Sequence, residues 1–134
     1  MIVDASVALK WLVVEDDTDS ALQLLDQTDL IAPTLIHAEV ANAIWKKRRL
    51  GELDEDGELA GLPLRLAVIL QTIDETPFMS RALDIAMTIA HPVYDCVYLA
   101  VAEGVDRTLV TADRRFVTKL ARHVLRDRVT LLGA

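Results

Sequence analysis

Along this chain, short runs of β-branched and aliphatic residues alternate with longer stretches whose apolar positions recur at helical spacing. Ile2 and Val3 predict a minimal first strand that ends at Asp4, and Ser6 is placed to cap the helix that follows through Ala8, Leu9, Trp11 and Leu12. Thr18 or Asp19 starts a second helix with Ala21, Leu22, Leu24 and Leu25 on its apolar face, after a solvated turn at Glu15, Asp16 and Asp17. Leu30, Ile31 and Ala32 predict a second strand, closed by Pro33. Thr34 is then positioned to cap a third helix from Leu35 to about Leu50, with Gly51 just past its end.

Between Leu53 and Asp74 the signals conflict. Gly57, Gly61 and Pro63 interrupt a helical pattern, and Val68, Ile69 and Leu70 suit helix or strand. Thr76-Pro77 is a helix start, and Ala82, Leu83, Ile85, Ala86 and Ile89 give that helix a regular apolar face down to His91-Pro92. From Asp95 the chain is apolar through Ala102, which predicts a buried helix stopped at Gly104 with an acid in its first turn. Thr108 to Thr111 form another strand run, followed directly by Ala112 and Asp113, then a helix from Phe116 to Leu125 and a last strand from Val129 to Leu132. Strands alternating with helices in this way imply one α/β domain over 1–134, with a parallel sheet covered on both faces.

Composition narrows the function classes. Apolar residues make up 52% of the 134, yet no stretch approaches the ~20 uninterrupted apolar residues of a membrane span, and the first residues lack a signal-peptide pattern. The lone Cys96 cannot form an internal disulfide and is expected as a buried, inert thiol, in keeping with a reducing cytoplasm. A net charge of −7 argues against a broad nucleic-acid-binding surface, so any polyanion must meet local patches. Two exist: Lys46, Lys47, Arg48 and Arg49 in the third helix, and the arginines from Arg107 onward.

The acids carry the candidate chemistry. Asp4 and Asp113 each follow a strand, and right-handed crossovers bring such strand ends to one edge of the sheet, where open α/β folds collect ligands. Glu39 lies among the apolar positions of the third helix and shares a stripe with Asn42 and Lys46; Asp95 opens the buried helix. Any one of these acids could be only a cap, worth roughly 0.5 to 2 kcal/mol. Gathered together they would repel one another unless a cation neutralised them. An all-oxygen set suits a hard ion, Mg²⁺ or Mn²⁺, whereas His37, His91 and His123 have no zinc-site spacing. Metals so held support hydrolysis of phosphodiesters, with the hydroxyls of Ser6 and Thr111 fixing the carboxylates or serving merely as caps.

Four segments then carry a family resemblance: Val3-Asp4-Ala5-Ser6-Val7-Ala8-Leu9-Lys10-Trp11, Glu39-Val40-Ala41-Asn42-Ala43-Ile44, Pro92-Val93-Tyr94-Asp95-Cys96-Val97-Tyr98-Leu99-Ala100 and Leu109-Val110-Thr111-Ala112-Asp113-Arg114-Arg115-Phe116. In order and spacing they resemble the successive motifs of PIN-domain ribonucleases, and most closely the VapC toxins of toxin–antitoxin pairs. The resemblance implies a three-layer α/β/α fold with a central parallel β-sheet. It also implies Mg²⁺- or Mn²⁺-dependent endoribonuclease activity, with metal ligands at Asp4, Glu39, Asp95 and Asp113. A homodimer and a VapB-like antitoxin whose tail occupies the active-site groove are implied too. Lys46 and Arg114 are the expected RNA-backbone contacts. Arg114 and Arg115 stand where many family members carry a further acid, which bears on whether a second metal ion is held.

Two other readings compete. Aspartyl-phosphate phosphatases also place an Asp after the first strand, but they need another two residues later, where this chain has Ser6. A PIN-like binding module without catalysis would keep the fold and bind no Mn²⁺.

Overall fold

A computed structural model describes residues 1–27, 29–53 and 58–134. Five parallel strands, β1 (Ile2–Val3), β2 (Ile31–Pro33), β3 (Gln71–Ile73), β4 (Leu109–Thr111) and β5 (Val129–Leu131), lie in the order β3-β2-β1-β4-β5. The chain therefore leaves β1 toward one side for β2 and β3, then returns to the other side of β1 for β4 and β5. The reversal lies between β1 and β4, where Ile2 pairs with Leu109 and Val3 with Val110. In open α/β sheets such a switch point is where ligands bind, outside the carboxyl ends of the strands.

Among the described residues seven α-helices flank the sheet: α1 (Ala5–Leu12), α2 (Thr18–Gln23), α3 (Leu35–Arg49), α4 (Leu62–Ile69), α5 (Met79–Ile89), α6 (Val93–Gly104) and α7 (Arg114–Lys119). Helix α6 packs on β1, β2 and β4 and against α5, while α1 packs with α2, α3 and α4. The α/β/α architecture is the expected one. Cys96, Val97, Tyr98, Leu99, Ala100, Val101 and Ala102 are all buried in α6, which is why that stretch is apolar without the alternation of a surface helix. Within the described residues no helix is long and apolar enough to cross a membrane.

Several local expectations change. Asp4, not Ser6, caps α1, its side chain accepting from the Val7 amide; Ser6 lies inside the helix and turns its hydroxyl back to Asp4. Thr34 precedes α3 as expected, but its hydroxyl donates to Glu75 instead of capping the helix. Gly51 does end α3, at φ 74, with the Glu52 amide reaching the Lys47 carbonyl and its own amide reaching Arg48 in a Schellman pattern. Gly104 serves differently. It is the last residue of α6, and a Cβ there would stand 2.2 Å from the Phe78 ring, so its smallness permits close helix packing; the left-handed turn falls at Asp106.

The ambiguous stretch resolves into both candidates: α4 through Ile69 and then β3, with Leu70 between them. The interruption expected at Gly57 lies outside the described residues. The last predicted helix is shorter than its apolar pattern suggested: α7 stops at Lys119, and turns and a 3-10 helix at Arg126–Arg128 carry the chain to Val129.

Candidate metal centre

The edge at the β1–β4 switch point collects the acids. Asp4 extends β1 by one residue and lies beside Thr111 at the end of β4. It is 3% exposed, and three donors surround its carboxylate: Ser6 Oγ at 2.6 Å, the Val7 amide at 3.2 Å, and the Thr111 hydroxyl. Burial nevertheless dominates and pushes its carboxyl from 3.8 up to about 6, with the three hydrogen bonds pulling down and the field of Asp95 adding to the rise.

Thr111 binds the second strand end into the same network. Its hydroxyl donates to Asp4 Oδ2 and accepts from the Asp113 amide at 3.0 Å. Ser6 Oγ accepts from the Ala112 amide at 2.9 Å. Asp113 in turn caps α7, its Oδ1 accepting from the Phe116 amide at 3.1 Å. Capping and clustering thus coexist here, since the second carboxylate oxygen remains available.

The helical acids reach this edge from two directions. Glu39 on α3 is held by Tyr98 on α6, whose hydroxyl donates to Oε1 at 2.6 Å. Burial raises the Glu39 carboxyl above its usual range, the Tyr98 bond opposes that, and the field of Asp95 adds to it. Tyr98 itself is buried, and its phenol is raised first by burial and then by Glu39, with the fields of Asp4 and Asp95 contributing. The field of Asp95 thus reaches both Asp4 and Glu39. Asp95 completes the link to Asp113: ligand atoms of His91, Asp95 and Asp113 lie within 4.8 Å of one another. Asp4 and Glu39 stand outside this tightest trio.

The donor set fits a hard divalent cation. Each added carboxylate raises the cost of ionising the others, and the field of Asp95 adds such a rise to Asp4 on top of the larger effect of burial. The Cys96 thiol does not compete as a nucleophile, because burial and the Asp95 field push it up to about 11.

Other expected residues sit apart from the acids. Asn42 and Lys46 are exposed on α3, and Asn42 makes no side-chain hydrogen bond to the acids among the described residues. Arg114 is exposed at the start of α7, next to Asp113. The basic run of α3 is divided: Lys47 pairs with Glu15 at 2.6 Å and Glu52 at 3.3 Å, and Arg49 lies over the Trp45 ring. Glu15 is thus an ion-pair partner, not part of a purely solvated turn.

Two residues at the site escaped the sequence reading. Tyr98 lies three residues after Asp95, on the same helix face, and a tyrosine in an otherwise apolar helix needs a partner for its hydroxyl. His91 precedes Asp95 by four residues, but Pro92 starts a new helix between them, so helical spacing alone does not bring the two together.

The PIN-domain family model matches residues 1–120. The chain belongs to the PIN-domain family. This PIN domain is 31% identical over 123 residues to Ribonuclease VapC3 of Pyrobaculum aerophilum, a match covering 89% of the chain and 93% of that protein. The crystal structure of PAE2754 from Pyrobaculum aerophilum superposes with a TM-score of 0.64 at 25% identity, covering 88% of this chain and 84% of that one. A toxin–antitoxin complex from Klebsiella pneumoniae shares the fold, with a TM-score of 0.65 at 11% identity over 96% of this PIN domain and 94% of that chain.

Proposed function

We propose that this PIN domain is a VapC-type endoribonuclease, the toxin of a toxin–antitoxin pair, in which Asp4, Glu39, Asp95 and Asp113 hold Mg²⁺ or Mn²⁺ and carry catalysis. One observation supports it above the others: Asp95 and Asp113 present ligand atoms within 4.8 Å of each other, and the field of Asp95 reaches the buried Asp4 after β1 and Glu39 on α3. Similarity to a protein named Ribonuclease VapC3 supports RNA as the substrate class. A divalent ion bound there supplies a Lewis acid that lowers the pKa of a water and offsets phosphate charge.

The protein's own part is positioning. Ser6 and Thr111 orient Asp4, Tyr98 orients Glu39, and the capping bond to Phe116 orients Asp113, so the acids are arranged before any ligand arrives. Lys46 and Arg114 grip the RNA backbone from the rim. A VapB-like antitoxin is the inhibitory partner and the compartment is the cytoplasm. The chain pairs as a homodimer, supported by Met79, Leu83 and Met87, which recur at one-turn spacing and stand exposed on α5.

The test is cleavage of RNA by purified protein with Mg²⁺ or Mn²⁺, compared with EDTA and with Asp4→Asn. Cleavage should need both the metal and the carboxylate, and activity that survived both controls would end the proposal.

A further inference from the structure

His91 is outside the acid quartet, yet its ring touches it directly. Its side chain is only 10% exposed, and Nε2 lies 2.6 Å from Asp95 Oδ2. The other nitrogen, Nδ1, is buried and has no hydrogen-bond partner among the described residues. A proton on Nδ1 would be an orphaned buried donor, so the proton belongs on Nε2, where Asp95 accepts it. In that tautomer Nε2 has no lone pair to offer a metal. His91 therefore donates to Asp95 instead of ligating beside it, although its nitrogen comes within 4.8 Å of the acids on both sides.

The ring is fixed from the rest of the fold. Ala90 holds φ 54, a left-handed conformation that L-residues other than glycine seldom adopt. Lys119 Nζ donates to the Ala90 carbonyl at 2.6 Å. The imidazole packs on the Phe116 ring with centroids 5.0 Å apart and planes tilted by 40°. Phe116 is also the residue whose amide holds the Asp113 carboxylate. The short helix that presents Asp113 thus wedges His91 against Asp95.

The geometry points to His91 as a positioning residue that ties one oxygen of Asp95, leaves the other for the pocket, and couples the Asp95 rotamer to the helix bearing Asp113. Its consequence for metal binding rests on the proposed function; the tautomer and the contact do not.

Two measurements test it. Long-range ¹H–¹⁵N NMR of the metal-free protein should show His91 protonated on Nε2 and bare on Nδ1, with the Nε2 proton shifted in Asp95→Asn and retained when Mg²⁺ is added. Calorimetric Mn²⁺ titrations should then find His91→Leu, which keeps bulk but loses the donor, weaker by ~10-fold or more. His91→Gln, which restores an N–H near the place of Nε2, should recover most of that loss. A proton on Nδ1, loss of the Nε2 proton on Mg²⁺ addition, Mn²⁺ binding by His91→Leu at wild-type strength, or a folded His91→Gln as weak as the leucine variant would each overturn it. A wild-type protein that binds no Mn²⁺ would instead defeat the proposed function, and the tautomer alone would then decide the role of His91.

Discussion

The Thr111 hydroxyl at the end of β4 donates to the Asp4 carboxylate just past β1, across the strand pair where the order of strand addition reverses. Both residues are buried, so this bond satisfies a carboxylate oxygen that water reaches poorly. Thr111→Val keeps the shape and removes the donor. It should cost about 2 kcal/mol in chemical denaturation of the metal-free protein at pH 7, and Mn²⁺ should restore part of the loss.

Asp4 predicts how stability depends on pH. Its carboxyl is raised from 3.8 to about 6 in the folded chain, so between those values the native state holds a proton that the unfolded chain has released. The metal-free protein should therefore lose stability as pH rises from about 4 through 6, by a contribution on the order of 3 kcal/mol from this group. Asp4→Asn should flatten that slope in denaturation curves measured at pH 4.5, 5.5 and 7. Mn²⁺ affinity should run the opposite way and rise across the same interval, because the ionised form binds the cation.

Tyr98 makes the bond that opposes the rise of the Glu39 carboxyl. Tyr98→Phe removes it and should push that carboxyl higher, leaving less of it ionised on the acidic side. Calorimetry should find Mn²⁺ binding weakened, and more so at acidic pH than at pH 8. An unchanged affinity at both pH values would separate Glu39 from the metal.

Packing near the end of α6 offers a test that does not involve the site. Gly104→Ala would drive a Cβ to 2.2 Å from the Phe78 ring and should destabilise by about 1 to 3 kcal/mol. Phe78→Leu in the same chain should recover much of it, which a double-mutant cycle of unfolding energies measures.

Lys46 and Arg114 test the path of RNA along the rim. In an Asp4→Asn background that binds without cutting, Lys46→Ala and Arg114→Ala should each weaken RNA binding across unrelated sequences and reduce the slope of log affinity against log salt by about one. Filter binding over a salt series reads both effects. A variant with an unchanged slope does not contact phosphate.

Much of this architecture is legible in the residues themselves. The alternation of strand and helix signals, Asp4 and Asp113 directly after β-branched runs, and an unbroken apolar α6 with Asp95 at its start follow from local rules of periodicity and capping. So do the parallel sheet and the edge where its strand ends meet. Local rules stop where a partner lies far away along the chain. Ser6 and Thr34 look like caps in sequence because capping is a local bond, yet the Ser6 hydroxyl accepts from the distant Ala112 amide and the Thr34 hydroxyl donates to Glu75. Gly104 looks like a helix stop until the Phe78 ring appears against it. The stretch around Val68 satisfies helix and strand alike, and only packing divides it into α4 and β3. The pairing of Tyr98 with Glu39, 59 positions apart, and the ring of His91 held between Asp95 and Phe116 are likewise products of tertiary contact. The sequence by itself determined which carboxylates the fold would carry and where along its elements they fall. The tertiary structure decided how deeply they are buried and which hydroxyl, phenol or imidazole holds each one, because desolvation and long-range hydrogen bonds exist only once the chain has closed around them.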